Sequence, residues 1–361
     1  MFAAPFVSPE RLARWRVDGL SARLSHCANC LTRAAVSSQQ VLVLQREALA
    51  TMLAANDDYR VLRRLAPRDT YEDPAGSPTH VALYIDVETT GLDHGADRII
   101  QLAITPLTFT PDGRVCAVRP SETWYEDPGI PISDEITQLT GIRQADVAGK
   151  RIDDARVGAL LAESDLVVAH NAAFDRPFLE PRFPGFAEKP WGCSMADVPW
   201  IAEGLPSTKL EWLCERHAHV FYDAHRADID TIAGIHLLAS ALPSGRRAMQ
   251  VLLEGVRRKT VRVWALESPF ATKGVLKARG YRWSGGEGGA PKAWWLEVRE
   301  EDLDAEREWL ALHVYRGEGC RAQVQRFGPK LRYSARIGTA NLHPLIARPS
   351  AGDAGGDGRA P

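Results

Sequence analysis

The 361-residue chain has few cysteines and lacks long apolar runs. Of its six cysteines, only Cys27 and Cys30 form a C-x-x-C pair, and a closed structural zinc site needs four ligands, so we interpret the pair as reduced thiols. The apolar runs end well short of the roughly 20 residues that a transmembrane helix needs. Arg11, Arg14 and Arg16 stand where a signal peptide has its apolar core. These absences favour a cytoplasmic protein with no membrane contact.

The chain also lacks a large net charge, because 44 Lys and Arg residues nearly balance 46 Asp and Glu residues. The balance hides an asymmetry, since residues 1–240 carry a net charge of −10 and residues 241–361 a net charge of +8. An acidic part can supply carboxylates that hold cations, and a basic part can attract a polyanion. The length and the 45% hydrophobic content are ordinary for a globular protein of two or three domains.

Turn-forming residues and changes of hydrophobic pattern divide the chain into four predicted parts. Residues 1–78 form a helical N-terminal leader that ends in the linker-like composition of residues 67–78. Residues 79–243 alternate strand and helix patterns and predict an α/β domain with a sheet covered by helices. Residues 256–340 predict a small α+β accessory domain, and the Gly- and Ala-rich residues 341–361 predict a disordered tail.

The strand and helix patterns are as follows. The leader contains a predicted helix over about 36–54. The α/β part has predicted strands over 81–87, 98–107, 113–124 and 166–169, and predicted helices over 152–163 and from just after His225. The accessory part has a predicted strand over 261–266, a helix over 272–279, a hairpin over 281–298, a helix over 302–315 and a strand pair near 321–337.

Two carboxylates end the first apolar strand of the α/β part. Side chains alternate along a strand, so Asp86 and Glu88 emerge on one face. Taking two neighbouring anions out of water is costly unless a cation neutralises them or one of them holds a proton. The pair therefore predicts a bound metal or a raised pKa, and two more carboxylates on separate segments, Asp175 and Asp230, favour the metal.

Three motifs contain these carboxylates. They are D-V-E-T-T-G-L from Asp86, H-N-A-A-F-D from His170, and H-R-A-D-I-D from His225. In their order and spacing, the chain resembles the DnaQ-like 3′-5′ exonuclease superfamily in its DEDDh branch, which includes proteins similar to DNA polymerase III epsilon. The match covers about residues 80–241. The resemblance implies an RNase-H-like fold with a mixed five-stranded sheet flanked by helices.

The resemblance also implies roles for single residues. It implies hydrolysis of phosphodiester bonds from a 3′ end with two divalent cations, Mg²⁺ or Mn²⁺, which suit oxygen ligands. Four carboxylates would hold these ions, the first bridging both: Asp86, Glu88, Asp175 and Asp230. His225 would accept the proton of the attacking water, because an imidazole with an unperturbed pKa near 6.5 can be a neutral base at physiological pH. Four residues would contact the terminal nucleotide: Thr89, Gly91, Leu92 and Asn171.

We therefore predict a metal-dependent 3′-5′ exonuclease that acts on DNA single strands or frayed 3′ ends, in DNA repair or proofreading-like trimming, with a DNA polymerase or repair protein as candidate partner. Two alternatives stay open. An exoribonuclease that trims RNA 3′ ends would use the same chemistry, because metal and phosphate are common to both substrates. A non-catalytic, polymerase-associated binding subunit is the other, although a scaffold has no need for clustered carboxylates.

The basic accessory part interleaves aromatic residues with cations, among them Trp283, Trp294 and Trp295 near Lys277 and Arg282. Aromatic side chains among cations suit single-strand binding, where bases stack on the rings. Small domains also need large aromatics to fill a core, so both interpretations stay open. Adjacent residues of a strand point to opposite faces, so one member of the Trp294–Trp295 pair is a candidate for exposure.

Overall fold

The computed structural model describes residues 38–286, 289–316, 319–339 and 342–345. The predicted leader up to residue 37, with Cys27 and Cys30, and the predicted tail from residue 346 lie outside the described residues. The chain divides into two units, Met1–Leu62 and Arg63–Pro361. Within the first, helix α1 spans Ser38–Ala54, as the pattern over 36–54 predicts. Among the described residues, no helix is both long and apolar enough to cross a membrane.

The α/β part follows. Its strands are β1 Arg63–Arg64, β2 His80–Thr89, β3 Ile99–Phe109, β4 Val115–Val118, β5 Glu122–Tyr125, β6 Leu166–Ala169, β7 Trp191–Cys193 and β8 Val220–Phe221. Its helices are α2 Asp134–Thr140, α3 Gln144–Val147, α4 Asp154–Glu163, α5 Ala172–Arg182, α6 Leu210–Arg216, α7 Ala227–Leu238 and α8 Ala248–Arg257. Strands β1 and β8 pair with each other in a small separate sheet.

The main sheet has the order β4-β3-β2-β6-β7, with β5 also beside β3. Strands β2 and β3 are antiparallel, whereas β2, β6 and β7 are parallel. This mixed sheet flanked by helices confirms the predicted fold class. The predicted strand over 113–124 is two strands, β4 and β5, which both pair with β3. They are separated at Pro120, because proline has no N–H to donate to the ladder.

The first unit ends earlier than the predicted limit at residue 78, because the chain after Arg63 pairs with the α/β part. The Tyr71 amide donates to the carbonyl of Cys116 in β4 at 2.8 Å. Glu72 accepts a hydrogen bond at 2.9 Å from the Arg247 guanidinium, just before α8. The segment with linker-like composition therefore lies against the sheet.

Both faces of β2 are covered by helices. Leu83, Ile85 and Val87 pack in one core with residues of α4 and α5. Tyr84 packs in the other core with residues of α7 and α8. Since side chains alternate, Asp86 and Glu88 share the face of Tyr84. Helix α7 approaches this face so closely that a Cβ on Gly234 would lie 2.0 Å from the Tyr84 hydroxyl oxygen.

The C-terminal part is an antiparallel sheet of order β10-β11-β9-β12-β13 with two helices. Its elements are β9 Thr260–Ala265, α9 Lys273–Arg279, β10 Arg282–Trp283, β11 Trp294–Arg299, α10 Leu303–His313, β12 Gln323–Phe327 and β13 His343–Pro344. Strands β10 and β11 form the hairpin expected over 281–298. Strand β13 extends the ordered structure into the predicted tail, as far as Leu345.

The second strand expected near 321–337 is absent among the described residues. Residues 328–339, here called the strap, instead cross to the α/β part. Arg176 of α5 has a side chain with no exposed surface and forms an ion pair with Glu180 at 2.6 Å. The Arg176 guanidinium donates to three strap carbonyls: those of Pro329, Lys330 and Arg332. The carbonyl oxygens that would accept hydrogen bonds from a neighbouring strand are thus bound by the Arg176 side chain.

Further contacts hold the strap on the same surface. Arg332 forms an ion pair with the buried carboxylate of Asp197. The Tyr333 hydroxyl donates to Asp197 at 2.9 Å, and Arg336 pairs with Glu180 at 3.1 Å. The C-terminal part is therefore attached to the α/β part through buried charges.

We predict that Arg176→Ala lowers the free energy of unfolding by about 3 kcal/mol, because the change leaves buried oxygens without their cation. Denaturant unfolding of the whole chain measures the effect. Arg151→Ala is the control: Arg151 pairs with Asp154, but 71% of its side chain is exposed, and exposed pairs contribute little. Equal losses in the two variants would contradict the role given to Arg176.

Candidate active site

Three carboxylates from two elements meet at the carboxyl end of β2. Asp86 and Glu88 belong to β2 and Asp230 to the first turns of α7. Ligand oxygens of the three side chains lie within 4.8 Å of one another. Asp230 is buried, with 9% of its surface exposed. Within the described part of the chain, no lysine or arginine forms an ion pair with any of them, so their charges are not balanced by the protein.

The fourth predicted ligand, Asp175, reaches the site from the opposite helical layer. It lies in the first turn of α5 and is buried. One of its oxygens accepts a hydrogen bond from the Val87 amide at 3.2 Å. Because β6 ends level with Ile85, this β2 amide has no strand partner there. The bond holds Asp175 next to Asp86, although its oxygens are outside the group of three.

Burial raises the pKa of each carboxyl group in this cluster. The pKa of Asp86 lies well above its usual value because of burial and then of repulsion from Asp175, Asp230 and Glu88. Burial, and then repulsion from Asp230 and Asp175, raise the pKa of Glu88 to about 8. Burial raises the pKa of Asp175 to about 7 and that of Asp230 to about 6. Crowded, unbalanced carboxylate oxygens fit a hard divalent cation, which would favour their charged forms.

His225 lies beside this cluster and is open to solvent. It precedes α7 and has a left-handed backbone, with φ of 63°. Its imidazole lowers the pKa of Asp230, against the larger effect of burial. The amide of the next residue, Arg226, donates to the Asp230 carboxylate at 2.9 Å, which ties the start of the helix to the site. The histidine is thus close to the acids and accessible.

The loop after β2 presents an apolar side chain. The Thr89 hydroxyl is buried and donates to the Gly91 carbonyl at 2.6 Å, while Asp97 accepts from the Thr90 hydroxyl at 3.0 Å. A Cβ on Gly91 would lie 2.5 Å from an Asp97 oxygen, so a side chain there would displace the Asp97 carboxylate from its bond to Thr90. Leu92 is 85% exposed. Of the predicted nucleotide contacts in this loop, Thr89 and Gly91 shape the backbone and Leu92 is accessible.

The turn between β6 and α5 contains two neighbouring polar residues that differ in exposure. His170 is half-buried, and desolvation of its ring lowers its pKa to about 4. Its Nε2 donates to the Thr208 carbonyl at 2.8 Å, and its Nδ1 accepts from the Ser194 hydroxyl at 2.8 Å. His170 is therefore a structural residue. Asn171 is exposed and has φ of 118°, so it is available to a substrate.

Sequence reasoning did not single out Arg176. This residue follows Asp175 directly and binds the strap, so it connects the helix of one predicted ligand to the C-terminal part. A signal was present, because a buried helix segment that contains a cation followed four residues later by Glu180 indicates an internal ion pair. The partner carbonyls, about 150 residues away, carry no pattern of their own.

A family model described as exonuclease, RNase_T, matches residues 83–238, a segment that contains Asp86, Glu88, Asp175, His225 and Asp230. This segment therefore matches the sequence of an exonuclease domain. The family assignment confirms the resemblance seen in the three motifs. The matched segment begins in β2 and ends at the last residue of α7, so the exonuclease domain contains the whole acidic cluster.

Relatives of this exonuclease domain include DNA polymerase III PolC-type proteins. The protein of Bacillus subtilis is 28% identical over 191 residues, which are 51% of this chain and 12% of the relative. That of Clostridium perfringens is 27% identical over 171 residues, which are 46% of this chain and 11% of the relative. The chain thus spans about a tenth of the length of these relatives.

Two exonucleases of known structure are distant neighbours. Escherichia coli exonuclease I in a complex with single-stranded DNA has a TM-score of 0.42 and 17% identity, over 61% of this chain and 63% of that chain. Exonuclease X in complex with 5′-overhanging duplex DNA has a TM-score of 0.31 and 22% identity, over 47% of this chain and 99% of that chain.

The raised pKa values predict how stability depends on pH. A carboxyl group whose pKa is higher in the folded than in the unfolded state stabilises the fold at low pH, and this contribution is lost as the pH rises through the folded-state pKa. With chelator present, the free energy of unfolding should therefore fall as the pH rises from about 4 to about 8, which is the pKa of Glu88 in the folded protein. Asp86→Asn should reduce this fall and raise the melting temperature at pH 8.

Thermal unfolding with chelator, and then with Mg²⁺, measures both effects. Mg²⁺ should raise the melting temperature of the unchanged chain more than that of Asp86→Asn, because the variant has lost part of the charge that attracts the ion. Glu211→Gln, which removes an exposed carboxylate of α6, is the control and should keep the original pH dependence. If the metal-free Asp86→Asn protein is less stable than the unchanged chain at pH 8, the claim that repulsion among these carboxylates destabilises the fold is wrong.

Proposed function

We propose that the chain is a metal-dependent 3′-5′ exonuclease that degrades DNA single strands or frayed 3′ ends. The observation that supports this most is the approach of Asp86, Glu88 and Asp230 to within 4.8 Å, with Asp175 behind them. An uncompensated cluster of this kind destabilises a protein unless it binds cations, so a purely structural reason for it is weak.

The four carboxylates would hold two divalent cations, Mg²⁺ or Mn²⁺. Asp86 is the proposed central ligand, because its carboxylate lies in one group with those of Glu88 and Asp230 and next to Asp175. The bond from Val87 orients one Asp175 oxygen and leaves the other available. Bound divalent cations supply the charge that activates an attacking water and stabilises the leaving 3′ oxygen.

His225 is the proposed general base. A neutral imidazole can take a proton from water, and the charge that it gains is stabilised by the neighbouring carboxylate of Asp230. Its exposed position before α7 keeps the ring accessible to water and to a substrate. The terminal nucleotide would contact Leu92 on one side and Asn171 on the other, since these predicted contact residues have accessible side chains.

The proposal of DNA as substrate is supported by the names of the relatives, which are DNA polymerases. Proofreading-like trimming or DNA repair, together with a polymerase or repair protein as partner, is the corresponding biological role. The cytoplasmic location stays a prediction. Trimming of RNA ends would need recognition of the 2′-hydroxyl, which makes RNA a direct comparison in the assay below.

The decisive assay incubates the purified chain with DNA and RNA oligonucleotides of one sequence, labelled at either end, in Mg²⁺, Mn²⁺ or chelator. We expect 5′-labelled DNA to shorten in a ladder, RNA to be cut more slowly, and chelator to stop both reactions. Faster cleavage of RNA would identify an exoribonuclease. Intact polymers in both metals would identify a non-catalytic binding subunit and refute the proposal.

We predict that His225→Ala lowers turnover by about 10²- to 10⁴-fold, the usual contribution of a general base, while the stabilisation by Mg²⁺ is largely retained. His219→Ala is a matched control, because His219 is also exposed and has a left-handed backbone, with φ of 56°. Steady-state rates on a 5′-labelled oligonucleotide separate the two variants. Full turnover in His225→Ala would remove the histidine from the mechanism.

A further inference from the structure

A groove separates the exonuclease domain from the C-terminal sheet. Its volume is about 510 Å³, which lies in the range of roughly 300–1,000 Å³ that encloses a drug-sized ligand such as one nucleotide. Asn171 and Met195 line it on the exonuclease side, and Arg282 and Trp295 on the C-terminal side. Strap residues, among them Tyr333, line the groove as well.

The groove opens at the edge of the sheet that carries the acidic cluster. Asn171 and Met195 follow the carboxyl ends of β6 and β7, and these strands run parallel to β2, which ends in Asp86 and Glu88. Strands β2 and β7 are separated by β6, so the distance between them is roughly 10 Å, or two strand spacings. A single-stranded nucleic acid whose 3′-terminal nucleotide lies at the acidic cluster would therefore have its preceding nucleotide in the groove.

The C-terminal wall has an aromatic platform, Trp295, with two arginine side chains beside its ring. Trp294 is buried in the core under α9 and α10, whereas Trp295 points to the opposite face and is partly exposed. The Arg262 guanidinium lies 4.1 Å from the centre of the Trp295 ring and pairs with Glu297 at 2.6 Å, so it fixes the ring. Arg282 lies opposite Trp295 across the β10–β11 pair. It is exposed, its guanidinium lies 5.6 Å from the centre of the Trp295 ring, and among the described residues it has no ion-pair partner.

Further cations continue along the same face of β11. Arg299 alternates with Glu297 and Trp295 and therefore shares their face. It lines a second cleft together with Arg258, Lys259 and Glu297, which also lines the groove. The negative charge of Glu297 is balanced by Arg262. The surface leading away from the acidic cluster is thus basic and suits a polyanionic chain.

We propose that the groove binds the nucleotide that precedes the 3′-terminal residue of a single-stranded substrate. Its base stacks on Trp295 and its phosphate is next to Arg282, while the following 5′ part of the strand passes Arg299. This inference rests on the proposed nuclease function and assigns to the C-terminal sheet the task of holding the strand. Base stacking tolerates any sequence, because every base has an aromatic face.

The test compares Trp295→Ala and Arg282→Glu with two controls. Trp283→Ala removes an aromatic ring that is 57% exposed on the other face of the same hairpin, and Lys277→Ala removes an exposed cation of α9. Fluorescence anisotropy with a 5′-labelled twelve-residue oligo(dT) and, separately, oligo(U), in Ca²⁺, gives Kd. We expect Kd to rise roughly 5- to 150-fold for Trp295→Ala, as for the loss of one stacked base.

Salt dependence tests the phosphate contact. Arg282→Ala should reduce the slope of log Kd against log salt concentration by about 0.7, the value for one phosphate contact on a single strand. Lys277→Ala should leave the slope as it is. Because Trp295→Ala removes a ring that packs on Arg262, Trp295→Phe is included and should raise Kd less than alanine does. Binding by Trp295→Ala and Arg282→Glu as tight as by the two controls would overturn the proposal.

A second substrate separates this inference from the nuclease function. The p-nitrophenyl ester of thymidine 5′-monophosphate occupies the terminal site alone, so the loss of kcat/KM in Trp295→Ala should be at least tenfold larger on the oligonucleotide than on the ester. Equal losses of kcat/KM on both substrates would overturn the proposal that the groove binds the preceding nucleotide. If the unchanged chain cleaves neither substrate, the nuclease proposal fails, and the binding measurements still decide whether the groove holds a strand.

Discussion

The repulsion among four clustered carboxylates, two half-buried and two buried, is the constraint on which this structure depends. Asp86 and Glu88 are fixed by β2, which pairs with β3 along its whole length. Asp230 is brought to them by α7, and this approach is possible because Gly234 has no side chain to meet Tyr84. Backbone bonding and apolar packing therefore hold together charges that would otherwise separate. The protein stores unfavourable electrostatic energy at one end of its sheet, and bound cations would release it.

Asp175 makes this arrangement depend on a distant part of the chain. Its helix, α5, lies in the other layer and presents Arg176 immediately after the ligand. Arg176 is satisfied by carbonyls of the strap, which belongs to the C-terminal part. A buried guanidinium without these oxygens is costly, so the exonuclease domain and the C-terminal part stabilise each other. This explains why the strap is held by side chains of α5 instead of forming a strand.

The two faces of the C-terminal sheet differ. Trp294 fills the core beneath α9 and α10, whereas Trp295 faces the groove, so the structural interpretation holds for Trp294 and the binding interpretation is proposed for Trp295. Alternation along a strand makes this division possible without any change of backbone. The groove exists because the strap holds this polar face against the exonuclease domain while leaving an opening beside β7.

Local patterns were enough to predict a sheet covered by helices, the motif residues and the division of Trp294 and Trp295 between two faces, since strand alternation and helix periodicity are properties of neighbouring residues. The mixed character of the sheet came from the family resemblance. Local patterns failed at Pro120, where one expected strand is two, and in the strap, where an expected strand is absent. The approach of Asp230 to Asp86, the burial of Arg176 and the groove beside Trp295 were decided by the tertiary structure alone. Each depends on contacts between residues far apart in the chain, and such contacts leave no periodic signal in the amino-acid sequence.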